Sequence, residues 1–125
     1  MYKSLTAAFL LSLTTTTAAF SDGHMVAGIQ VVDGVLADPN GMSLYTFDPD
    51  TAEASACNGP CAVAWPPLFA GADEADYDAF TIITRADGSR QWAHEGAPLY
   101  LWKNDLEPGD QTGDGVKGVW HLARP

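Results

Sequence analysis

Basic residues are scarce in this 125-residue chain: six Lys and Arg stand against sixteen Asp and Glu, a formal net charge of −10. That balance excludes nucleic acid and anionic lipid headgroups as partners, because affinity for either comes from Lys and Arg neutralising phosphate. Cationic ligands, metal ions and basic proteins stay compatible with it. Cysteine is limited to Cys57 and Cys61, which leaves no C-x-x-C pair for zinc and no C-x-x-C-H haem attachment site. No serine sits in a G-x-S-x-G elbow and no H-E-x-x-H occurs, so no nucleophile–base set is offered and a non-enzymatic protein is expected. The Asp48-Pro49-Asp50 and Asp110 to Gly115 segments carry oxygen ligands but miss the EF-hand spacing, so they read as solvated turns.

Long hydrophobic runs are missing too. Leu5 to Leu13 forms a short apolar stretch after Lys3, far below the ~20 residues that span a bilayer. Small residues follow, with Thr17-Ala18-Ala19 and Ala19-Phe20-Ser21 as alternative cleavage sites. Residues 1–21 are therefore expected to be a signal peptide, with 22–125 forming one exported domain without stable membrane insertion after cleavage. Losing Lys3 with the leader takes the net charge from −10 to −11. A periplasmic or secreted location follows.

What is present in quantity is glycine, proline and a repeat. Gly41-Met42-Ser43-Leu44-Tyr45-Thr46-Phe47-Asp48-Pro49-Asp50 aligns without a gap on Gly96-Ala97-Pro98-Leu99-Tyr100-Leu101-Trp102-Lys103-Asn104-Asp105, an offset of 55 residues. The same offset carries Trp65 onto Trp120. A hairpin signal precedes each copy. Val26 to Val32 leads through Asp33-Gly34 to Val35-Leu36-Ala37, and Phe80 to Thr84 leads through Asp87-Gly88 to Gln91-Trp92-Ala93. Asp-Gly between apolar runs favours a hairpin because both residues tolerate positive φ. The expected fold is mainly β: a small antiparallel sheet or barrel-like domain of two pseudo-repeats, about 26–69 and 80–125, with one short helical turn. Residues 70–79 form an acidic linker, with room for one helical turn, and Val116 to Ala123 a terminal strand.

In a strand Tyr45 and Phe47 share one face, as do Tyr100 and Trp102, while Leu44 and Leu99 point the other way. Both faces being apolar favours a buried core motif, with Asp50 and Asp105 pinning turns. The functional alternative is an aromatic groove with an acidic rim, built from Tyr45, Phe47, Asp50, Tyr100, Trp102 and Asp105, for a sugar or a cationic ligand.

Cys57 and Cys61, four apart in an exported chain, favour a disulfide closing a short loop. The alternative is a copper or thiol-redox site, with Cys57, Cys61 and His94 or His121 as soft ligands. Without that alternative no cofactor is expected.

These segments together, Leu44 to Asp50, Cys57 to Leu68, Arg85 to Trp92, Gly96 to Asp105 and Pro108 to Trp120, resemble a family of bacterial secreted proteins and lipoproteins with a duplicated Y-x-(F/W/Y)-x-x-D motif. The resemblance implies an exported repeat and supplies no catalytic residues. It leaves the partner open: a small ligand or an envelope protein. The absence of a cysteine for acylation near the leader implies free solubility in the periplasm.

Overall fold

The computed structural model describes residues 26–125; the expected signal peptide lies outside them. The chain folds into short antiparallel ladders that do not close into a barrel. The elements are β1 (Gln30–Val32), β2 (Val35–Ala37), β3 (Tyr45–Phe47), α1 (Pro60–Ala64), β4 (Phe80–Thr84), β5 (Arg90–His94), β6 (Ala97–Pro98), a 3₁₀ turn (Val116–Gly118) and β7 (Trp120–Leu122). Pairing is β1 with β2, β3 with β7, and β4–β5–β6 as a three-stranded sheet.

The first hairpin closes at Asp33-Gly34, with Val32 opposite Val35. Both turn residues have positive φ, 54° and 78°, the backbone of a type I′ turn. The second hairpin is looser. Thr84 pairs with Arg90, so a five-residue loop replaces the tight turn, with Asp87 accepting from the Ser89 N–H and hydroxyl.

Three expected elements differ. The strand from Val26 begins only at Gln30, because Ala27 and Gly28 turn the chain at positive φ and the Ile29 N–H bonds the Val26 carbonyl. The terminal strand from Val116 shortens to Trp120–Leu122, since Gly115, Lys117 and Gly118 also take positive φ. Residues 70–79 contain no helical turn. The Arg90 guanidinium bonds the Gly71 and Glu74 carbonyls, which lashes this segment to β5.

The two repeats are interlocked. Tyr45 and Tyr100 exchange both backbone hydrogen bonds, at 2.8 and 2.9 Å, so the two motif copies meet antiparallel at their own tyrosines. Around this point each half closes a triangle of backbone bonds. In one, Leu36 N–H reaches the Ala123 carbonyl, Ala123 N–H reaches Leu44, and Leu44 N–H reaches Leu36. In the other, Trp92, Leu68 and Leu99 stand in the same relation. Ala123 and Leu68 each come from the opposite repeat. Each repeat therefore lends its last segment to the other, as β7 on β3 and as the Pro67–Tyr100 bridge.

The alternation within the motif produces two cores. Tyr45, Tyr100, Trp65, Trp120, Val35, Cys57 and Leu122 fill one. Leu44, Leu99, Leu36, Ile29, Trp92 and Ala123 fill the other. Both faces of the motif strand are buried, as its two apolar sides require.

Candidate functional site

The motif tyrosines and aspartates form two reciprocal clasps between the repeats. Tyr45 Oη donates to Asp105 Oδ2 at 2.6 Å, and Tyr100 Oη donates to Asp50 Oδ2 at 2.6 Å. Each tyrosine thus bonds the closing aspartate of the other copy. Each aspartate also fixes a loop. Asp50 Oδ1 accepts the Ala56 N–H, and Asp105 Oδ1 accepts the Thr112 N–H and hydroxyl. Burial, then the neighbouring carboxylate, pushes both phenols well above their ordinary value of 10.0. Burial also raises the Asp50 carboxyl, against the lowering effect of the Ala56 N–H, the Tyr100 hydroxyl and the Arg85 charge.

These contacts place the six motif residues in different situations. Tyr45 and Tyr100 are fully enclosed, and Asp105 is buried. Phe47 and Trp102 remain half-buried. The aspartates face inward onto phenols and turn amides and form no acidic rim.

The half-exposed rings end a stack. Phe47 lies 4.1 Å from Trp120, Trp120 3.8 Å from Trp65, and Trp65 3.9 Å from Trp102, with interplanar angles of 15°, 3° and 24°. The order obeys the repeat: Trp65 and Trp120 are equivalent and central, while Phe47 and Trp102 are equivalent and terminal. Tyr45 meets Trp65 edge-on at 5.4 Å, and Tyr100 meets Trp120 edge-on at 5.2 Å, the geometry that places a positive ring edge on a negative face.

Local sequence explains how the central rings are held. Pro60 opens α1 with the φ a helix needs. Pro66 then forces Trp65 out of the helical region, to φ −123° and ψ 79°. Trp120 comes from β7, where it pairs across with Phe47. Gly113 lies against the stack: a Cβ there would stand 2.9 Å from Trp65, 2.9 Å from Tyr45 and 3.0 Å from Trp102.

A cleft of about 510 Å³ opens beside the stack. Its walls are Phe47, Trp65, Trp102 and Trp120, with Pro60, Cys61 and Ala64 of α1 on one side and Val116 and Val119 on another. Pro49, Lys103 and Lys117 complete it, and no lining residue is acidic.

Cys57 and Cys61 form a disulfide with Cα atoms 5.2 Å apart. Cys57 is fully buried, and Cys61 is partly exposed at the cleft. His121 Nε2 lies 3.0 Å from Asp48 Oδ2, and His94 packs on Phe80 at 4.7 Å. Among the described residues no group of three or more His, Cys, Asp or Glu is placed to hold a metal ion. Arg85, 5% exposed, ties the Cys57 loop to the second hairpin. Its guanidinium reaches the Cys57 carbonyl at 2.6 Å, Gln91 Oε1 at 2.8 Å and Ser55 Oγ at 2.9 Å.

Trp65, Trp120, Lys103 and Lys117 line the cleft and Gly113 backs the stack, and none of them stands among the candidate site residues of the sequence. The two tryptophans carried a signal, their recurrence at the repeat offset. The lysines carried another: every lysine of the described residues lines this one cleft.

A family model described as a secreted repeat of unknown function matches residues 29–69 and again residues 81–124. No curated protein and no solved structure matches the chain.

Proposed function

The chain belongs to that family of secreted repeats, and we propose that it acts outside the cytoplasm as a non-enzymatic module that holds a small ligand in the aromatic cleft. The observation that carries the reading is the stack with open ends. A core needs its aromatics covered, yet Phe47 and Trp102 keep accessible surface on the wall of a cleft with few polar groups. Its volume lies within the ~300–1,000 Å³ of small-molecule pockets, which favours a small molecule over a protein surface as the occupant. No helix among the described residues is long and apolar enough to cross a membrane, which suits a periplasmic or extracellular carrier.

Calorimetric titration with a panel of small aromatic compounds tests the proposal. Binding by the wild type and its loss in Trp102→Ala, measured at a temperature where circular dichroism shows the variant still folded, is the expected result. An unaltered affinity in that variant would place the ligand elsewhere and sink the reading. The second reading, a copper or thiol centre on Cys57 and Cys61 with His94 or His121, would first require the bridge to be reduced.

A further inference from the structure

Resting on the cleft as a ligand site, we infer that its ligand is an aromatic anion: a flat conjugated ring carrying a carboxylate or sulfonate group. The charge distribution points there. Sixteen acidic residues outnumber six basic ones in the whole sequence, yet the cleft collects Lys103 and Lys117 and has no acid in its lining. Among the described residues neither lysine has an acidic partner; the one ion pair joins His121 to Asp48.

The acids nearest in sequence to the cleft residues are already engaged. Asp48 meets His121, Asp50 and Asp105 accept the tyrosine hydroxyls, and Asp114 Oδ1 accepts the Leu122 N–H. Each accepts from one of the protein's own donors, and none lies within ion-pair distance of Lys103 or Lys117.

The repeat shows that the lysines are additions to the scaffold. Position 103 corresponds to Asp48 and position 117 to Ala62 in the first copy, so neither charge is carried by the duplicated pattern. Lys117 also sits at φ 53° between Gly115 and Gly118, both at positive φ. A non-glycine residue kept in that region costs backbone energy that glycine would avoid.

The geometry defines a two-part recognition. The conjugated ring lies against the exposed face of Trp102 or Phe47, extending the stack. The acid group turns outward to Lys103 and Lys117. The overall negative charge of the protein does not forbid this, since the Debye length at physiological salt is about 8 Å and the distant acids are largely screened. A cation in the same place would meet two like charges and no carboxylate of the lining.

The test uses three probes of one shape: 2-naphthoate, neutral 2-naphthalenemethanol and the cation 2-naphthylmethylammonium, titrated calorimetrically into the disulfide-bonded protein. Two exposed charge contacts are expected to favour the anion about tenfold over the alcohol, with the cation weakest. In the Lys103→Gln/Lys117→Gln variant the ratio of anion to alcohol affinity falls to about one, and in Lys103→Arg/Lys117→Arg it is kept. Equal binding of all three probes, or tightest binding of the cation, overturns the anion inference and leaves the cleft standing. No binding of any probe removes the cleft reading itself and this inference with it.

Discussion

Replacing Tyr45 by Phe removes one oxygen from the centre of the fold and tests the clasp between the repeats. Tyr45 Oη donates to Asp105 Oδ2 and accepts the Gly113 N–H at 3.1 Å. The variant leaves a buried carboxylate oxygen without a donor and a buried amide without an acceptor. Each orphaned buried group costs about 1–3 kcal/mol, so a loss of about 3 kcal/mol is expected. Tyr100→Phe is the internal comparison. Its partner Asp50 is only partly buried, and Ser55 Oγ keeps the Arg85 guanidinium after the hydroxyl is gone. Water can then replace the lost donor, and about 1 kcal/mol is expected. Urea unfolding at neutral pH measures both, provided the slope m is unchanged. Double-mutant cycles sharpen the test: Tyr45→Phe should couple to Asp105→Asn, and Tyr100→Phe to Asp50→Asn, by more than about 0.5 kcal/mol. If instead the tyrosine couples to the aspartate of its own copy, the cross-repeat account is wrong; equal losses in the two tyrosine variants would refute the burial difference between Asp50 and Asp105.

Gly113→Ala drives a methyl group into Trp65, Tyr45 and Trp102; overpacking of about 1–3 kcal/mol and a changed near-ultraviolet circular dichroism of the stack are expected, and an unaltered spectrum would contradict the packing. Reducing Cys57–Cys61 opens a loop of sequence separation 4, which the loop-entropy relation values at about 2 kcal/mol; urea curves with and without reductant check it. Alkaline titration follows from the raised tyrosines. The unfolded chain releases these protons near 10.0 while the folded chain retains them, so their contribution is intact below that pH and falls above it, by up to about 1.4 kcal/mol per pH unit for each phenol. Phenolate absorbance from Tyr45 and Tyr100 should appear only together with unfolding. A peptide of residues 26–69 should show no cooperative unfolding, because the partners supplied by Ala123 and β7 are absent; a cooperative transition would refute the interlock.

The duplicated motif, its two-faced burial and the type I′ hairpin were legible in the sequence because each rests on local chemistry. Leu44 and Tyr45 must point to opposite sides of one strand, and Asp33-Gly34 tolerates positive φ. The interlock was not legible. The 55-residue offset fixes which residues are equivalent, but equivalence does not say whether Tyr45 bonds Asp50 or Asp105. That choice depends on where the last segment of each repeat inserts, and no periodicity encodes it. The acidic rim failed for the same reason: an aspartate closing a strand reads as exposed until a phenol from the other copy covers it. Trp65 and Trp120 were visible as equivalents, yet their contact between the repeats could not be read from spacing.

Comparing the two copies also separates scaffold from chemistry. Cys57 corresponds to Thr112 and Cys61 to Val116, so one loop is held by a disulfide where its equivalent has none. In the second copy the Thr112 hydroxyl and N–H bind Asp105. In the first, Ala56 N–H binds Asp50 and the bridge supplies the remaining restraint one residue later. Two different devices thus hold equivalent loops on equivalent tryptophans, Trp65 and Trp120. A bond that substitutes for a threonine contact acts as a clamp on the stack, which accounts for the cysteine pair without assigning it redox chemistry. The lysines admit no such account. Neither Lys103 nor Lys117 stands in for a restraint of the other copy, and both line the same cleft, so this departure from symmetry is the one the proposed ligand site would use.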